Sequence, residues 1–188
     1  MPSPPDDASA TLFAAGPRTR RLARLGLLIA LAGAVQAAES LLPSPAPWFR
    51  LGLGNAVVLV VLHRWGPREG IWVAAGKVLV GSLLGGRLFS PAFLLSLGGT
   101  AAAVAAMAAA LRACPPLGFV GVSVLGAQAH VLAQLFLAAL LLRTPALWSL
   151  LPLLGSLAVV AGCLTGIAAH RVARTLEGED DAKRCPGP

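Results

Sequence analysis

Charge is scarce in this chain. Only 12% of its 188 residues are Asp, Glu, Lys or Arg, and no aspartate falls between Arg18 and Arg174. The one acidic cluster, Glu177, Glu179, Asp180 and Asp181, lies in a polar tail that cannot preorganise a metal or diphosphate centre. Cysteine is also rare: Cys114, Cys163 and Cys185 are too few and too scattered for a disulfide framework or a CxxC metal site. No Walker pattern occurs, so the chain carries no ATPase of its own. Gly52 and Gly54 lack the third glycine, the preceding strand and the acidic ribose partner of a dinucleotide site. Neither a metal nor a cofactor is expected.

What is abundant is apolar surface. The chain is 56% hydrophobic, its mean hydropathy is +0.77, and long apolar runs extend from about residue 22 to residue 169. A soluble domain of this size has too little polar cover to hide so much. The sequence therefore reads as a one-domain polytopic membrane protein, all-α, lying in the lipid bilayer. Its net charge of +7 would suit nucleic acid, but the cations cluster at the ends of apolar segments without interleaved aromatics, so no nucleic-acid partner is expected.

Those cations are a topology signal. Arg18, Arg20, Arg21 and Arg24 precede the first span, and Arg64 and Arg68 follow the second. Arg112 follows the fourth, and Arg171, Arg174, Lys183 and Arg184 follow the last, leaving Arg50, Arg87 and Arg143 opposite. Positive-inside bias then puts both termini in the cytoplasm, with an even number of crossings of the inner (plasma) membrane.

Six spans are expected, over residues 22–42, 51–63, 71–86, 91–111, 119–142 and 146–169. The second is short, and the third is broken by Gly76, Gly81, Gly85 and Gly86, a pattern that points to binding sites in transporters. The fourth, dense in alanine, is expected to be central and buried. The loop over residues 43–50 holds three prolines and Trp48 and should be stiff. The first span is too long for a signal-peptide core and lacks a clear cleavage site. The domains expected are a disordered tail over 1–17, a transmembrane domain over 18–174 and a disordered cytoplasmic tail over 175–188.

Within this apolar body Gln36, Glu39, Asn55, Lys77, Gln128, His130 and Gln134 stand out, because polar groups at membrane depth face a bundle interior or a wet path. Gly126, His130 and Gln134 recur every fourth residue, giving either a pocket wall beside an opening glycine or interhelical glue; Gln128 points elsewhere and reads as glue. Glu39 and Lys77 either pair with each other or contact a ligand. Arg87 reads as an interface anchor. Gly26, Ala30, Ala34 and Ala38 form a small-residue stripe turned away from Gln36 and Glu39, suited to packing on another helix, of a partner or of the same chain. Glu39, Asn55, Lys77, His130 and Gln134 are thus the substrate-binding candidates, lining one pocket that opens outward with Lys77 at its floor.

Residues 50–62 (RLGLGNAVVLVVL) and 121–142 (GVSVLGAQAHVLAQLFLAALLL), with AESLLP at 38–43, resemble the Gx transporter family, also labelled heptaprenyl diphosphate synthase component I. That family is similar in its six-helix plan to the substrate-binding S components of energy-coupling factor transporters. The resemblance implies a transmembrane coupling subunit and ATPases as partners, docking at Gly26, Ala30, Ala34 and Ala38, and a lid over the pocket from residues 43–50. The function expected is capture of a small charged solute for uptake by a protein that is not itself an enzyme. The alternative is a non-catalytic membrane component serving a soluble prenyl synthase subunit in polyprenyl diphosphate synthesis.

Overall fold

A computed structural model describes residues 16–39, 52–113 and 117–184. The described residues form six α-helices: α1 (Pro17–Glu39), α2 (Gly54–Trp65), α3 (Pro67–Leu84), α4 (Pro91–Ala113), α5 (Phe119–Leu142) and α6 (Leu151–Arg184), the last preceded by a 3₁₀ turn (Pro145–Leu150). Most of the expected tail over 1–17, the loop over 43–50 with Trp48, and the residues Cys114 and Cys185 lie outside the described residues.

Among the described residues four stretches are long and apolar enough to cross a membrane: Arg18–Glu39, Pro91–Ala113, Phe119–Leu142 and Pro145–Gly178. The chain is a multi-pass membrane protein. With 12 residues, α2 spans only about 18 Å, well short of a bilayer core. The 18-residue α3 carries Arg68, Glu69 and Lys77. The two are joined through a single residue, Gly66, whose φ of +92° is open to glycine at little cost.

The middle of the bundle belongs to α2. Val58, Leu59, Val60, Val61 and Leu62 are buried in succession, all round the helix, and α2 packs against each of the other helices. The expectation that α4 is the central helix is therefore corrected. Its Gly99, Thr100, Ala103, Val104, Met107 and Ala110 are buried, but Ala101, Ala105 and Ala109 are exposed. Small side chains set how closely two helices approach, not how many neighbours a helix has.

Close approach is clearest between α5 and α6. A Cβ on Gly162 or Gly166 would come within 2.7 or 2.6 Å of the Cα of Val124 or Val120, so the backbones touch where only glycine fits. A 2.7 Å hydrogen bond between the hydroxyls of Ser123 and Thr165 crosses the same seam. Gln128 Nε2 donates to the Gly155 carbonyl at 2.8 Å, which is the glue its position promised.

Two corrections concern the last span. It begins as a 3₁₀ turn and becomes α-helical at Leu151, just before Pro152, whose missing N–H is tolerated in a first turn. It then runs past Ala169 to Arg184, so residues 175–184 are helical where a disordered tail was expected. Thr165, Ala169 and Ala173 are buried and Leu176 packs on the core, continuing the inward stripe beyond the apolar run.

Side-chain contacts define the two ends of the bundle. At one end Arg21 Nη2 meets Glu69 Oε1 at 2.5 Å, the Arg24 guanidinium lies 4.7 Å over the Trp65 ring, and Phe119 stacks between His63 and His170. At the other the Leu53 N–H donates to the Glu39 carboxylate, joining the last residue of α1 to the start of α2. The clustered arginines of α1, α2, α3 and α6 share the first end.

Candidate functional site

Nearer the arginine-poor end, all six helices contribute to one small cavity of about 40 Å³. α1 brings Gln36 and Glu39, α2 Asn55, α3 Lys77, α4 Ser96 and Thr100, α5 His130 and Gln134, and α6 the small Ala158 and Ala161. The five residues singled out in the sequence, Glu39, Asn55, Lys77, His130 and Gln134, thus meet around a single space. At this volume it holds water-sized species, well below the several hundred Å³ of a drug-sized site.

The two charges are held in place. Glu39, at the end of α1, accepts from the backbone N–H of Leu53, a donor the α-helix itself leaves unused; its carboxylate also suits the positive end of the α2 dipole. Leu53 offers no side-chain cap, and a neighbouring helix supplies the acceptor instead. Lys77, only 3% exposed, donates from Nζ to Asn55 Oδ1. Lys77 also lines the cavity, where an ammonium offers hydrogen-bond donors to whatever fills it.

Glycines on two helices make room for these side chains. A Cβ on Gly81 would sit 2.8 Å from Gln36 Nε2, and one on Gly99 would sit 2.8 Å from Gln134 Cγ and 2.9 Å from His130 Nε2. On Gly54 it would come closest to the Ala32 carbonyl oxygen of α1, at 3.2 Å, with the Lys77 chain in ordinary contact. The opening expected beside His130 at Gly126 is instead filled by Met107 of α4; the glycine that seats His130 is Gly99.

Two further wall residues have polar atoms without a protein partner. Among the described residues Gln36 Nε2 and Thr100 Oγ1 are buried with no hydrogen-bond partner, in side chains 5% and 3% exposed. Each such atom costs about 1 to 3 kcal/mol unless something in the cavity bonds it. Sequence reasoning placed Gln36 on the polar side of α1 but missed Ser96 and Thr100. Their spacing of four, two hydroxyls on one face of an alanine-rich helix, was the available signal.

Arg87 lies in the link between α3 and α4, away from the cavity. Gly26, Ala30, Ala34 and Ala38 are all exposed, whereas Ala32, Gly33, Gln36 and Glu39 on the other side of α1 are buried. Among the described residues no group of His, Cys, Asp and Glu is placed to hold a metal ion.

Comparison with known proteins yields one family. The model of heptaprenyl diphosphate synthase component I matches residues 28–172, which takes in every helix that lines the cavity. No curated protein and no solved structure matches the chain.

Proposed function

Because the chain belongs to the heptaprenyl diphosphate synthase component I family, we propose that it is the membrane-embedded binding subunit of that family's six-helix plan, capturing a small polar solute for uptake driven by partner proteins. The carrying observation is the cavity, to which α1, α2, α3 and α5 bring charged and amide side chains, with Gln36 Nε2 and Thr100 Oγ1 buried and unbonded at its wall. Groups of this kind are costly in a bundle core, and a polar ligand offsets that cost. A buried ammonium and a buried carboxylate favour a compact solute with negative or mixed charge.

The solute would be taken up from the side opposite the arginines, with both termini in the cytoplasm and six crossings of the plasma membrane. In a chain freed of its native cysteines, Phe89→Cys, in the exposed α3–α4 link, should react with an impermeant maleimide added to intact cells, and Pro67→Cys should not. Reaction at Pro67→Cys with protection at Phe89→Cys would reverse the orientation.

Energy would come from a transmembrane coupling subunit and ATPases, since the chain has no nucleotide motif. The exposed stripe Gly26, Ala30, Ala34 and Ala38 is the docking face in this reading. Ala30→Leu with Ala34→Leu should cut recovery of a copurifying membrane partner by about tenfold, a loss of about 1.4 kcal/mol, without changing the melting temperature of the isolated chain. Undiminished recovery would remove the stripe from the account.

The family's own description favours a second reading, a non-catalytic membrane component that works with a soluble polyprenyl diphosphate synthase. Copurification separates the two. A coupling subunit with ATPases supports uptake, and a soluble prenyl synthase supports the second reading. The cavity weighs toward the first, because charged, amide and hydroxyl side chains at its wall suit a polar molecule and not a long prenyl chain.

A further inference from the structure

We propose that the groove between α1 and α3 at the arginine-rich end binds one anionic phospholipid, its phosphate held by Arg18 and Arg68 and an acyl chain lying on the apolar wall beneath. The groove has a volume of about 630 Å³. Its lip is formed by Arg18, Arg21 and Arg68, and its wall includes Leu22, Ile29 and Trp72. Arg21 is tied to Glu69 at 2.5 Å, and among the described residues neither Arg18 nor Arg68 is in an ion pair. Among the described residues the groove therefore keeps two uncompensated cations.

The apolar part decides what kind of anion fits. Leu22 is 68% and Trp72 60% exposed, directly below the cationic lip, and an indole at this level suits the headgroup zone of a bilayer. A soluble anion accounts for the arginines but leaves that wall uncovered. An apolar molecule covers the wall but leaves the cations unmatched. A phospholipid has both parts in this order, and basic pockets between membrane helices are recognised sites for anionic headgroups. The groove shares Leu22 and Gly26 with the outer face of α1, so a lipid seated there flanks the small-residue stripe.

The test uses the full chain in nanodiscs of phosphatidylglycerol and phosphatidylcholine, with retained lipid counted by native mass spectrometry after mild detergent exchange. The wild type should keep one phosphatidylglycerol and no phosphatidylcholine. Arg18→Gln with Arg68→Gln should lower that retention by about tenfold or more, in line with two interfacial arginines. Arg20→Gln with Arg171→Gln removes as much charge from the same end and should lower it less than about twofold. All four arginines are exposed, so the fold should be unaffected, and equal melting temperatures check this. A second measurement needs no variant: phosphatidylglycerol, and not phosphatidylcholine, should raise the melting temperature of the wild type. Equal loss in both double variants would show diffuse surface attraction and overturn the site. Full displacement by millimolar inorganic phosphate, or no retained lipid in the wild type, would overturn the lipid assignment.

Discussion

Lys77→Met should leave the protein at least as stable as the wild type while lowering solute affinity by about tenfold to a hundredfold, the usual worth of a hydrogen bond to a charged group. The opposite signs follow from where the ammonium sits. Lys77 is 3% exposed and its Nζ donates to the amide oxygen of Asn55, so the fold carries the desolvation of an ammonium. Methionine keeps most of the chain's length and relieves that cost. The bond to Asn55 is among what is lost on the structural side, about 1 to 3 kcal/mol, the same order as the relief. A thermal melt in detergent with a binding isotherm for the solute checks both signs. Marked destabilisation with unchanged affinity would make Lys77 a packing element and not part of a binding site.

The second large effect is expected from the smallest change, Gly99→Ala. A Cβ there lies 2.8 Å from Gln134 Cγ and 2.9 Å from His130 Nε2, so both side chains must move, and the space beside them is the cavity of about 40 Å³. In α4, alanine in place of glycine favours the helix by up to about 1 kcal/mol, which offsets part of the repacking. The variant should fold, with a melting temperature close to that of the wild type. Its cavity should be filled by its own wall, and binding should fall by at least about tenfold, as loss of one good polar contact would produce. His130→Leu, which removes a wall group directly, should give a similar loss of binding.

How much of this was legible in the sequence depended on which physical signal each residue carried. Polar residues in an apolar body are conspicuous, and Glu39, Asn55, Lys77, His130 and Gln134 do meet at one cavity. Helical periodicity placed His130 and Gln134 together but misplaced Gly126. Each step of four residues turns about 40° past a full circle, and by Gly126 the face has swung toward Met107. Ser96 and Thr100 stayed hidden because one hydroxyl among alanines carries little polarity, although the pair shares a face. Burial on every face of a helix was beyond reach. The twelve residues of α2 look merely short, and only the assembled bundle shows that Val58 to Leu62 are covered all round. The exposed stripe on α1 was readable because α1 packs mainly on α2 and α3, leaving the side that carries Gly26, Ala30, Ala34 and Ala38 exposed. The helical end of α6 was missed because composition alone judged it, while the inward spacing of Thr165, Ala169, Ala173 and Leu176 went unweighed.

The claim at the centre of this account is that the polar cavity is a binding site. The measurement that bears on it most directly is mass spectrometry of small molecules released on denaturing equal amounts of folded wild type and Gly99→Ala, both purified in mild detergent from the same host. The account predicts a compact polar species at close to one equivalent in the wild type, reduced by at least about tenfold in the variant. The same small molecules in equal amounts from both proteins, or no such species from the wild type, would contradict it.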